Sequence, residues 1–112
     1  MKKKDNTLQI LAQSHAMKIL SSLNREKMRF IDLKTVCLSN RTRSARLKEL
    51  EEVGLIKAVP EMINKRAYTF YEITPEGKEA LELAEKLIAL GLKTRNKQHR
   101  NYVAFREQKK ET

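Results

Sequence analysis

The stretch LSNRTRSARLKELEEVGLI, residues 38–56, decides how the chain is read. Leu47 and Leu50 mark an inward face, and Ser39 is a good N-cap. Gly54 sits where a left-handed residue would end a helix, and Leu55 follows as its apolar anchor. The pattern predicts a helix from about Asn40 to about Val53. Its charges oppose the helix dipole. Arg41, Arg43, Arg46 and Lys48 come first, and Glu49, Glu51 and Glu52 come last. Stability alone favours the reverse order.

Outward from this segment, the chain alternates helix and strand patterns. Thr7 to Leu23 carries Leu8, Leu11, Ala12, Ile19, Leu20 and Leu23 at helical spacing, with Asn6 or Thr7 as a cap. Met28-Arg29-Phe30 suits a small strand, and Ile31 to Val36 suits a short helix with Leu33 and Val36 inward. After the quoted helix, Leu55 to Val59 and Ala67 to Ile73 read as strands. PEMINKR between them suits a hairpin loop with a basic tip at Lys65 and Arg66. Thr74-Pro75-Glu76 is a helix start, with Thr as cap and Pro at the first helical position. Ala80, Leu81, Ala84, Leu87 and Ile88 form an apolar stripe along that helix, and Gly91 is a candidate stop. The expected class is α+β, mostly helical, in the order α-β-α-α-β-β-α. The expected division is a basic arm over 1–6, a folded domain over 7–91 and a basic tail over 92–112. The tail reads as a helical extension that contributes to dimerisation, or as a basic arm that tracks phosphates.

The chain has 112 residues, 34% of them charged, and a net charge of +10. That balance favours a polyanionic partner, nucleic acid before an anionic membrane surface. The ends are the most basic parts: Lys2, Lys3 and Lys4 at one, and seven cations against Glu107 and Glu111 at the other. Cys37 is the only cysteine, so no disulfide forms within the chain, which fits a reducing, cytoplasmic setting. No apolar run approaches the roughly 20 residues of a membrane span.

Two helices joined by a tight turn, 31–37 and 40–53, have helix-turn-helix proportions, and a hairpin with a basic tip follows. Here the chain resembles the winged helix-turn-helix transcription regulators, especially the HxlR-, PadR- and MarR-like repressors of bacteria and archaea. The resemblance rests on MRFIDL at 28–33, SNRTRSARLKELEEVGLI at 39–56 and YEITPEGKEAL at 71–81. It implies a homodimer on double-stranded DNA, joined through the first and last helices. The second helix of the motif would enter the major groove with Ser39, Asn40, Arg41, Arg43, Ser44, Ala45, Arg46 and Lys48. The wing tip, Asn64, Lys65 and Arg66, would reach the neighbouring minor groove or its phosphates. The inverted charges then acquire a purpose. Free N–H groups at a helix start already attract an anion. Arginines there can grip guanine O6 and N7, and an Asn40 amide matches adenine N6 and N7. The chain departs from the family pattern at position 43, usually aliphatic and inward. Either Arg43 snorkels outward, or the helix is rotated.

Other residues read as structure. A run of Arg and Glu on a lone helix is ordinarily a solvated face. Cys37 beside the turn reads as a small buried hydrophobe, with a thiol sensor as the alternative. His15 and His99 make no metal-ligand spacing. Tyr68, Phe70 and Tyr71 could stack on bases, but Tyr71 and Ile73 are expected to cover the core. No catalytic constellation or cofactor motif is visible, so an enzyme is not expected. A small chain leaves little room for an effector pocket. Two rivals remain: a non-specific nucleic-acid or chromatin binder of the same fold, and a winged-helix protein-interaction module.

Overall fold

A computed structural model describes residues 6–111, with side chains as far as residue 93. In chain order the elements are α1 (Thr7–Leu11), α2 (Ala16–Arg25), a 3₁₀ turn (Asp32–Thr35), α3 (Asn40–Glu52), β1 (Ile56–Ile63), β2 (Arg66–Ile73) and α4 (Pro75–Glu111). The basic residues at positions 2–4 and the side chains of His99, Tyr102, Val103 and Phe105 lie outside the described residues. Among the described residues, no helix is long and apolar enough to cross a membrane.

The helix expected over 7–23 is two helices. His15 breaks it with φ 69°. Leu11 and Ala16 are both buried, yet five residues apart they would point roughly 140° from each other on one straight helix. The break lets both face the core. Leu8, expected inward, is exposed.

The small strand expected at 28–30 reduces to one bridge between Met28 and Tyr71, closed by hydrogen bonds of 3.1 and 2.7 Å. The next backbone N–H, that of Arg29, turns away from the sheet and donates to the Asp32 carboxylate at 3.0 Å. The same carboxylate accepts from Arg29 Nε and Nη2, both at 3.2 Å. This pairing starts the 3₁₀ turn that stands where a short helix was expected, with Leu33 fully buried beneath it. The sheet is therefore a two-stranded antiparallel hairpin carrying one extra bridge.

The hairpin is longer than the sequence signals indicate. Pro60 to Ile63, read as loop, belongs to β1, and Pro60 pairs with Thr69. A proline is tolerated there because it has no N–H to donate and β1, an edge strand, has no second strand on its outer side to require one. The loop is only Asn64-Lys65. Both residues have positive φ, 51° and 67°, which matches the twist of a two-residue type I′ turn.

The central helix begins and ends as predicted. Ser39 Oγ accepts from the Thr42 N–H at 3.2 Å. At the other end Gly54 has φ 81°, Gly54 N donates to Glu51 O and Leu55 N to Leu50 O, both at 3.0 Å. That pair of bonds is the Schellman motif. The next helix is clamped onto this corner. Thr74 N donates to Leu55 O at 3.0 Å, Thr74 Oγ1 donates to Gly54 O at 2.6 Å, and the same hydroxyl accepts from Gly77 N at 3.0 Å. The short motif ITPEG is thus a docking device for α4.

Buried Ile19, Leu20, Leu23, Leu33, Leu47 and Leu50 form the centre of the core. Tyr71 and Ile73 half-cover it, as expected. The chain divides into one compact unit that ends at Leu81 and another that starts at Glu82. The second is helix throughout its described length, and continues through Gly91, where a stop was expected. Leu87 and Ile88, expected in an inward stripe, are 58% and 52% exposed.

Gly77 tests the clamp. A Cβ there would lie 2.0 Å from Leu55 O and 2.7 Å from Ile73 Cγ1. Gly77→Ala is expected to destabilise the domain by about 2 kcal/mol or more, since backbone must move. Urea unfolding followed by circular dichroism measures it.

Candidate nucleic-acid interface

The start of α3 is built around a buried guanidinium. Arg43 is 0% exposed. Its Nη1 donates to the Cys37 carbonyl at 2.6 Å and to the Leu38 carbonyl at 3.4 Å. Nη2 donates to Asn40 Oδ1. The guanidinium carbon lies 4.2 Å from the centre of the Phe30 ring. Burial of a charge costs several kcal/mol. Charge-assisted hydrogen bonds of about 1.5–3 kcal/mol each, and a desolvated cation–π contact of about 2 kcal/mol, offset it. Nε is left buried without an acceptor.

This arrangement corrects the expected contact set. Arg43 does not snorkel outward. It packs inward, at a position where the family resemblance leads one to expect an aliphatic side chain, so it offers no donor to a DNA surface. Its partners are the carbonyls of the turn itself, which explains one of the misplaced positive charges on α3. Arg46 explains a second. Its Nε donates to the Ser14 carbonyl at 2.9 Å and its Nη1 pairs with Glu49 at 2.7 Å. With its side chain only 14% exposed, Arg46 ties α3 to the turn between α1 and α2.

Arg41 and Lys48 are the helix's exposed cations, and neither has a hydrogen bond or ion pair among the described residues. Ser39 and Ser44 are exposed and Ala45 is half-buried. Asn40 is exposed, with its amide oxygen turned to Arg43. The far end of the helix remains acidic. Glu49 is held by Arg46, and the charge of Glu51 adds to burial in pushing the Tyr71 phenol above its ordinary pKa.

At the wing, Asn64, Lys65 and Arg66 are all exposed, at or beside the turn. Seven residue steps of strand place that turn roughly 23 Å from the base of the hairpin. The outer face of the wing is braced against the segment before the 3₁₀ turn. Lys27 Nζ lies 5.0 Å from the centre of the Phe70 ring, and Arg29 stands 5.4 Å from that of Tyr68. Lys27 also pairs with Glu61 on β1. Two of the aromatic rings considered as base-stacking platforms are therefore partly covered by the protein's own cations.

Sequence reasoning missed Phe30 as the platform beneath Arg43. A signal existed: an arginine at an inward helical position requires an aromatic or acidic neighbour, and MRF supplies a ring. Lys34, exposed on the 3₁₀ turn, was given no role and adds a cation ahead of α3.

Comparison with known proteins bears on the family and the fold. The profile of the HxlR-like helix-turn-helix family matches residues 10–99. An uncharacterized HTH-type transcriptional regulator of Methanocaldococcus jannaschii is 36% identical over 80 residues, which is 70% of this chain and 75% of that protein. A MarR-family protein of Enterococcus faecalis superposes with a TM-score of 0.68 at 21% identity, covering 89% of this chain and 94% of the other. A PadR-family transcription regulator of Clostridium difficile superposes with a TM-score of 0.66 at 22% identity, covering 76% and 97%. At that identity the two structures speak for the winged-helix fold alone.

The Arg29–Asp32 pair sets a pH dependence. Hydrogen bonds from the Arg29 side chain, then from its backbone N–H, hold the Asp32 carboxyl below its usual range. Because the folded-state value is depressed, the pair's contribution is present above the ordinary carboxylate pKa and is lost as pH falls through the folded value. Asp32→Asn is therefore expected to be less stable than the wild type at pH 7 and equal to it at strongly acidic pH. Urea midpoints measured across pH check both limbs.

Proposed function

Since the chain belongs to the HxlR-like helix-turn-helix family and is a transcriptional regulator with a DNA-binding fold, we propose that it is a sequence-specific repressor acting as a cytoplasmic homodimer. The observation that carries this reading is the exposed pair Arg41 and Lys48, without a partner among the described residues, on a helix whose other two arginines are held internally. Two such helices would enter successive major grooves roughly 34–36 Å apart on a pseudo-palindromic site. Ser39, Asn40, Arg41, Ser44 and Ala45 would face the groove. Lys65 and Arg66 would hold phosphates and fix the register of the reading helices. Repression would follow from excluding polymerase at the bound site.

An apolar row on α4 supports the homodimer. Leu83, Leu87 and Leu90, at steps of four and three, are each between 58% and 59% exposed, and Leu92 is 50% exposed. Steps of this kind form the seam along which two helices interlock. A second copy of the chain supplies the matching row.

Selection of bound sequences from a random duplex pool tests the reading. A palindromic consensus is expected. Absence of any preferred sequence, with affinity that collapses at 150–200 mM salt, would instead identify a non-specific binder. Arg41→Ala is expected to weaken specific binding by about 1–3 kcal/mol and to relax base choice, whereas Lys65→Ala should weaken all duplexes alike. Leu87→Glu is expected to convert the dimer to monomer in sedimentation velocity at micromolar concentration.

A further inference from the structure

Asn40 is the first residue of α3, exposed, and of the residue type that reads adenine. Adenine recognition needs both halves of the amide at once, with the oxygen accepting from N6 and the nitrogen donating to N7. In this protein the two halves are not equally available. Arg43 can only donate, so the Asn40 atom that meets its Nη2 must be the oxygen, and the amide cannot flip. Arg43 itself is held on several sides. It is 0% exposed, held by the Cys37 and Leu38 carbonyls, and seated on Phe30. Its charge finds only neutral acceptors and a ring among these contacts, and its Nε finds none. A cation so placed keeps its hold on the Asn40 oxygen.

We propose that Arg43 is a specificity-determining positioning residue: the oxygen keeps a second lone pair, but by holding it against a fully buried guanidinium Arg43 turns it toward the protein, and the amide presents its N–H groups to DNA. Asn40 then takes an acceptor that has no donor beside it. Guanine, with O6 and N7, fits. A backbone phosphate oxygen fits by the same chemistry. Adenine, which presents a donor next to its acceptor, does not. The inference rests on the DNA-binding reading and deepens it, since it assigns the chemistry of one contact within that interface.

The test is duplex selection with three proteins: wild type, Asn40→Ala and Arg43→Met. Arg43→Met keeps an unbranched chain of similar length in the buried site and frees the Asn40 oxygen. Asn40→Ala removes an exposed amide and one acceptor of Arg43; its own melting curve shows that it is folded, and its result does not depend on how Arg43→Met folds. In the wild type, a guanine preference that Asn40→Ala removes identifies a base contact. A uniform loss of affinity across sequences in Asn40→Ala identifies a phosphate contact. Both outcomes support the proposal. If the contact is to a base, Arg43→Met, shown to be folded by its melting curve, should shift the preference there about tenfold toward adenine. If the contact is to a phosphate, Arg43→Met should gain about tenfold on sites with adenine beside Asn40. An Asn40-dependent adenine preference already present in the wild type overturns the proposal. So does wild-type selection that Asn40→Ala leaves unchanged in affinity and in sequence. If the wild type selects no sequence at all, the specific-regulator reading itself fails and this inference falls with it.

Discussion

The helix-turn-helix of this protein is organised by one side chain. The Arg43 guanidinium lies beneath the turn that joins the 3₁₀ segment to α3, donating to the carbonyls of residues 37 and 38 on one side and to Asn40 on the other. Short turns leave carbonyls that neither helix can satisfy, and an unpaired buried carbonyl costs about 1–3 kcal/mol. A guanidinium with five N–H groups in a fixed fork can answer several of them at once, which an aliphatic side chain at the same position cannot. Phe30, from the segment just before the 3₁₀ turn, closes the other face of the guanidinium. The residues bound together in this way come from α3, from the turn before it and from the segment ahead of the 3₁₀ turn, so the geometry of the motif is set from within.

This economy explains how a short, highly charged chain can hold a rigid motif with a modest core. Arg46 acts similarly at longer range, crossing to the Ser14 carbonyl. Lys27 and Arg29 lay cations over the rings of the wing. Cation–π and charge-to-carbonyl contacts thus brace each place where the apolar core is thin: the turn, the break between α1 and α2, and the outer face of the hairpin. The cost is a smaller set of side chains left to meet a partner. Arg41 and Lys48 on α3, Lys34 before it, and Lys65 and Arg66 at the wing are exposed.

Much of this was legible in the residues. Caps and stops are local chemistry, and Ser39, Gly54 and Thr74 each announce their element through bonds made within a few positions. The order of elements and the α3 boundaries follow from such signals. The two-residue turn at Asn64-Lys65 was less legible, because Pro60 reads as a breaker until β1 is known to be an edge. The same holds for the segment 28–30. Its strand character is genuine at Met28, but the Asp32 carboxylate takes the next backbone N–H from the sheet.

What the sequence by itself determined is the helix-turn-helix with its hairpin, the capping of α3 and α4, and the excess of positive charge that suits a polyanionic partner. Each depends on neighbours close along the chain or on composition. What only the tertiary structure decided is which of the α3 arginines are held inside the protein and which is exposed. The three are alike in type and stand at nearly adjacent turns, so no local rule separates them. The ring of Phe30 and the carbonyl of Ser14, both distant in sequence, take Arg43 and Arg46 out of solvent, and among the described residues nothing takes Arg41.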